Sequence, residues 1–104
     1  MRAAGWQAEA VADGAEALAV VHAFEPDVIV MDLALPIIDG ISATKRLKAD
    51  PATAHIPVVA CTAYFHARIS DIYGVEFDAI VEKPCPPESL LARLEKLVKL
   101  VRGD

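Results

Sequence analysis

Three polar side chains in this 104-residue sequence close apolar runs, and their types suit one another. Asp32 follows Val28–Met31, Thr62 ends the run from Val58, and Lys83 stands just past the run at 78–82. Taken singly each is ordinary. An aspartate closing a strand commonly caps a turn, a threonine there is unexceptional, and a lysine before Pro84 is one more solvated charge. Together they supply a nucleophilic carboxylate, a hydroxyl donor and a cation. A carboxylate can accept a phosphoryl group covalently. The ammonium would then offset the added negative charge, and the hydroxyl would donate to a phosphoryl oxygen.

The elements that must position them follow from periodicity. Asp27–Leu33 and Ile56–Thr62 are continuous apolar blocks of the kind buried on both faces in a parallel sheet. Pro57 is tolerable there only at the start of its strand. Trp6–Val11 alternates and reads as a strand, and Phe77–Glu82 reads as a shorter one. Asp13 and Glu16 have the spacing of a helix N-cap and its glutamate. Ala17, Leu18, Val21 and Phe24 continue at helical spacing, so residues 14–24 are expected as a helix stopped at Glu25-Pro26. Pro36 to Gly40 reads as a loop, and Asp39 as the cap of a helix over 41–49 that Asp50-Pro51 stops. Residues 64–73 carry a weaker helical pattern. Pro86-Pro87-Glu88 opens the strongest helix, in which Leu90, Leu91, Leu94, Leu97, Val98 and Val101 form one stripe. Alternating strands and helices predict a single α/β domain with a parallel sheet covered by helices. Ligands of such sheets bind beyond the carboxyl ends of the strands, which is where Asp32, Thr62 and Lys83 converge.

Composition narrows the function classes. Ten Lys and Arg against fifteen Asp and Glu leave a net charge of −5, which disfavours a nucleic-acid partner. With 55% hydrophobic residues the chain has the apolar surface to fold. No apolar run nears the roughly 20 residues of a membrane span, so no membrane role is expected. The start lacks the apolar core of a secretory signal, and a cytoplasmic chain is expected. Cys61 and Cys85 match no metal spacing and read as a small buried hydrophobe and a loop thiol. His22, His55 and His66 make no metal spacing either, while Lys45, Arg46 and Lys48 read as a solvated basic face.

The segments around the three polar residues resemble the receiver domain of bacterial two-component response regulators. They are Asp27-Val28-Ile29-Val30-Met31-Asp32-Leu33-Ala34-Leu35-Pro36-Ile37-Ile38-Asp39-Gly40, His55-Ile56-Pro57-Val58-Val59-Ala60-Cys61-Thr62-Ala63, and Glu82-Lys83-Pro84. Ala12-Asp13-Gly14-Ala15-Glu16-Ala17-Leu18 resembles the turn that leads from the family's second strand into a helix. The resemblance covers nearly the whole chain and implies a flavodoxin-like receiver fold. It implies that Asp32 accepts a phosphoryl group from a histidine kinase or phosphotransfer protein. Thr62 is then the switch hydroxyl, with Ala63 beside it on the phosphoryl group and Lys83 as counter-charge. Asp32 and the carbonyl of Ala34 would hold Mg²⁺, while Pro36, Gly40 and Pro84 would shape the surrounding loops. A downstream protein would be contacted through residues 64–101.

The resemblance also marks departures. Family members begin with a buried central strand ending in an acidic pair, followed by a first helix. Here Met1-Arg2-Ala3-Ala4-Gly5-Trp6 looks like the end of that helix, and the receiver fold is expected to be truncated at its N-terminus, without the central first strand. Glu9 and Asp13 belong to later elements and do not replace the pair. Mg²⁺ is therefore expected to bind weakly or not at all, and phosphorylation to be slow or absent. The strands at 6–11 and 28–32 must close up or leave edges that a second copy fills, and an oligomer is expected. Trp6 is expected to lack part of its cover, and Ile80 stands where the family often has an aromatic residue. A phosphorylation-independent interaction module, or a fragment of a full receiver domain, is the alternative. An aspartyl-phosphate hydrolase is disfavoured, because Ala34 occupies the place of its second carboxylate.

Overall fold

Short β-branched runs set the central strands, and α-helices carry the chain back from the first to the second and from the second to the third. The computed structural model describes residues 2, 3, 5–33, 37–63, 74, 75 and 77–103. The expected helix over 64–73, with Ala34, Pro36, His66 and Tyr73, lies outside them. In chain order the elements are β1 (Arg2–Ala3), β2 (Trp6–Val11), α1 (Gly14–Phe24), β3 (Val28–Asp32), α2 (Ile37–Ala49), β4 (Val58–Thr62), β5 (Ala79–Glu82) and α3 (Pro87–Arg102). β2, β3, β4 and β5 lie side by side in that order, all parallel. The expected parallel α/β architecture is present.

The N-terminal expectation changes. Arg2–Ala3 is not the end of a helix but a strand antiparallel to β2, with Ala3 opposite Trp6. Gly5, at φ +83, supplies the reversal that a side chain would strain. β2 pairs directly with β3, Ala8 opposite Val28 and Val11 opposite Met31. Of the two outcomes open to these strands, closure is the one realised, and no unpaired inner edge remains between them.

Two aspartates fix the register at the strand starts. Asp27 Oδ2 accepts from the Gln7 N–H at 2.8 Å, and the Asp27 N–H donates to the Gln7 carbonyl at 2.8 Å. Asp78 repeats the device: its Oδ2 accepts from the Val58 N–H at 2.7 Å and its N–H donates to the Val58 carbonyl at 2.9 Å. Lys48 joins the second clamp through a 2.9 Å ion pair with Asp78, so it is not simply part of a solvated face. The strands consequently start one or two residues later than the apolar runs suggest. Asp27, Pro57 and Phe77 precede them.

Sequential strand order dictates where the helices lie. Right-handed crossovers that always step the same way deliver their helices to one face of the sheet. α1 and α2 pack there over Val11, Ile29, Met31, Val58 and Ala60. α3 follows the last strand and takes the other face, over Trp6, Ala8, Val28, Val30, Val59 and Val81. Its stripe buries Leu94 completely and Val98 almost so. Each such side chain contributes about 1.5–3 kcal/mol. Trp6, expected to lack cover, is only 4% exposed beneath this helix, and its indole N–H finds no hydrogen-bond partner among the described residues.

The stretch expected as a loop up to Gly40 is in part helix. α2 begins at Ile37, so Asp39 lies in its first turn rather than capping it. Gly40 is buried inside the helix, where an added Cβ would collide with Leu33 Cδ2 and sit 3.4 Å from Met31 Cγ. Its role is close approach of α2 to β3, not loop shape. Thr44, fully buried, donates to the Gly40 carbonyl at 2.8 Å.

Two measurements check this packing. Gly40→Ala gains about 1 kcal/mol of helix propensity but overpacks Leu33 by about 1–3 kcal/mol, and a net loss of thermal stability is expected. Gly40→Val is expected to lose more. The single tryptophan is expected to emit as a buried indole and to resist quenching by iodide until the chain unfolds. Emission typical of water in the folded chain would contradict the α3 cover.

Candidate functional site

Side-chain alternation decides what the rim of the sheet presents. Val28 and Val30 face α3, so Asp32 continues on that face. On β4, Val59 and Cys61 face the same way, and Cys61 is the direct neighbour of Asp32. On β5, Ala79 and Val81 share the face, and Lys83 follows just beyond the strand. The Lys83 N–H donates to the Thr62 carbonyl at 2.8 Å, which extends the β4–β5 ladder by one rung and fixes where its side chain starts. From there the ammonium reaches across β4 and bonds to Asp32 Oδ1.

The structure thus brings the Asp32 and Lys83 side chains into contact. Asp32 and Lys83 form an ion pair whose side chains remain 44% and 35% exposed. Thr62 closes β4, is fully buried, and holds Lys83 through its backbone. Ala63 follows it, exposed. Pro84 comes after a cis Lys83–Pro84 peptide bond. Ala34 and Pro36 lie outside the described residues, and Gly40 serves the α2–β3 contact described above.

Electrostatics follow from the pair. The hydrogen bond to Asp32 holds the Lys83 ammonium above the ordinary lysine range, with partial burial working against it. Cys61, between the two partners, is pushed up chiefly by burial, while the Lys83 charge pulls it the other way. Sequence reading placed Cys61 in the core and missed that it sits directly beside the carboxylate. The alternation of β3 against β4 carries that signal. Both cysteines are free and half-buried.

The described residues do not fit a magnesium site. Mg²⁺ wants octahedral oxygen ligands, normally including a carboxylate or two. Among the described residues no three His, Cys, Asp or Glu converge. Continuing the β2–β3 register by one residue sets Ala12, not a carboxylate, beside Asp32. Asp13 is spent as the N-cap of α1, where its Oδ1 accepts from the Glu16 N–H at 2.9 Å. The counter-charge at Asp32 is the Lys83 ammonium.

Comparison with known proteins sets this edge in context. The DNA-binding dual master transcriptional regulator RpaA of Synechocystis sp. is 36% identical over 99 residues, covering 92% of this chain. The chain spans only 40% of the length of RpaA. The signal receiver domain of a signal transduction histidine kinase from Syntrophus aciditrophicus superposes with a TM-score of 0.72 at 29% identity, covering 93% of this chain and 74% of that one. The receiver domain of a sensor histidine kinase from Pseudomonas aeruginosa, with a magnesium ion coordinated in its active-site cleft, shares the fold. Its TM-score is 0.68 at 22% identity, over 97% of this chain and all of that one. No helix among the described residues is long and apolar enough to cross a membrane. The profile of the response regulator receiver domain runs over residues 1–95, from β1 through the Asp32–Lys83 rim into α3, and the chain belongs to that family.

Proposed function

We propose that this receiver domain works as a phosphoryl-accepting switch with Asp32 as acceptor. The observation that carries the reading is the contact between Lys83 and Asp32 at the carboxyl edge of a parallel sheet. The donor is the phosphohistidine of a kinase or phosphotransfer protein. An Asp32 carboxylate oxygen attacks phosphorus, the P–N bond breaks, and the leaving imidazole keeps the electron pair and takes up a proton. The product is an acyl phosphate on Asp32. Lys83 moves from the carboxylate to the new phosphoryl oxygens, where its charge offsets theirs. Thr62 and the Ala63 backbone N–H, at the end of the neighbouring strand, donate to the same oxygens. The effect passes to a downstream protein through the β5 and α3 side of the domain.

A second reading has its own support. Ala12 beside Asp32, and the absence of a metal-ligating cluster among the described residues, favour a phosphorylation-independent interaction module. Intact-mass measurement after incubation with a small phosphoramidate separates the two. Under the switch reading the parent chain gains one phosphoryl adduct, Asp32→Asn gains none, and added magnesium leaves the yield unchanged. A folded chain that gains no adduct belongs to the module reading.

The ion pair makes a pH prediction. Lys83 titrates higher when folded than when unfolded, so its contribution is complete at neutral pH. It is lost as pH rises from the ordinary lysine range through the raised folded value. Melting temperatures of the parent and Lys83→Met are expected to differ slightly and constantly near neutrality, and to converge in alkali. A difference that widens in alkali would contradict the pairing.

A further inference from the structure

At the edge where the parallel strands begin, remote from Asp32, two adjoining cavities of about 440 Å³ and 240 Å³ share Glu25, Pro26, His55 and Ile56. They form one groove between the ends of α1 and α3. Leu18 and Val21 wall it on the α1 side, and Val98 and Val101 on the α3 side. Among the described residues four large apolar side chains stand well exposed, and two of them are here, Leu18 at 39% and Val101 at 54%. Apolar surface left open beside a concave site on so small a domain marks a place where something docks.

The rim of the groove carries one sign of charge. Glu25 lines both cavities, Asp50 the larger and Asp27 the smaller. No lysine or arginine lines either among the described residues, although the chain has ten. Two of the carboxylates already serve the backbone. Asp27 accepts from the Gln7 N–H, and Asp50 Oδ1 accepts from the Ala52 N–H at 2.9 Å. Glu25 is different. It ends α1 in the left-handed conformation, at φ 43, and its exposed carboxylate has no ion-pair partner among the described residues.

The groove also discriminates by shape. It crosses the starts of β3 and β4, and each of these strands is paired on both sides. An extended peptide therefore finds no open strand edge to join here. A helix needs none, because anchors at i, i+3 or i+4, and i+7 reach successive cavities from one face.

We propose that this groove docks a basic amphipathic helix of a partner protein. Its apolar stripe lies along Leu18, Ile56 and Val101, and a lysine or arginine at the edge of that stripe meets Glu25. The floor takes up the apolar anchors, and the acidic rim fixes their orientation and favours cationic partners over acidic ones. The contact uses neither Asp32 nor Lys83 and is independent of the phosphoryl-transfer reading.

Fluorescence anisotropy tests this, with the 104-residue chain titrated into a labelled peptide of leucine and lysine. The peptide has about 15 residues, with leucines at i, i+3, i+4 and i+7. Saturable one-to-one binding is expected, weakened by salt. Leu18→Glu and Glu25→Lys are each expected to weaken it by about tenfold or more, with the far-ultraviolet spectrum unchanged. Glu88→Lys, the same change of charge in the first turn of α3, is expected to leave it nearly unaltered. A peptide of the same composition without the leucine stripe, and one with glutamate for lysine, are expected not to bind. Absence of binding overturns the proposal, as does binding indifferent to Leu18→Glu. Equal losses from Glu25→Lys and Glu88→Lys overturn it too, since the attraction is then to net charge alone. Sedimentation of the chain by itself covers the other occupant: a dimer that Leu18→Glu dissolves places a second copy in the groove and also overturns it.

Discussion

The pairing of β2 with β3 is the constraint on which the rest of this domain depends. With Ala8 opposite Val28 and Val11 opposite Met31, the parallel sheet runs in chain order with nothing interleaved. Every crossover then steps the same way, so α1 and α2 share one face and α3 is left to cover the other. The same pairing settles what stands beside Asp32. The family resemblance leads one to look for a carboxylate next to Asp32, and the strand that fills the place brings Ala12. The positive charge beside Asp32 comes from across the sheet, on Lys83.

That long reach has a modest energetic weight and a large positional one. Both partners are more than a third exposed, and water screens the pair, so its contribution to stability is on the order of 1 kcal/mol or less. Its geometry is better defined than its energy. The Lys83 backbone is tied to the Thr62 carbonyl, so the side chain starts from a fixed point and crosses over Cys61. A substituent on Cys61 would therefore disturb the pair from beneath, although burial keeps that thiol protonated and slow to react.

Much of this was legible in the sequence because it is local. The β-branched run at Val28–Met31, the leucine stripe of α3 and the Asp13–Glu16 cap each announce their element within a few residues. The contact between Asp32 and Lys83 was legible for the same reason, since each closes an apolar run. What failed was non-local. Ile37, Ile38 and Gly40 are poor helix formers, and the start of α2 there is permitted by contact with Leu33 and Met31, which no helical periodicity encodes. The burial of Trp6 depends on α3, which lies far along the chain. The partnership of Lys48 with Asp78 likewise joins residues that only the fold brings together.

The sequential sheet also bears on how the chain reaches its structure. The clamps join Asp27 to Gln7 and Asp78 to Val58, each pair 20 residues apart. Each new parallel strand thus docks on the one made just before it, across a loop whose closure costs little entropy. An interleaved strand would instead force a pairing to wait for a distant segment. Growth by neighbouring units lowers the mean sequence separation of contacts, the property that goes with rapid folding. α3 is the exception, because Leu94 and Val98 must find Trp6 and Ala8 from the opposite end of the chain. In this topology the β2–β5 pairings each join successive strands, and the cover that α3 gives Trp6 and Ala8 joins the two ends of the chain.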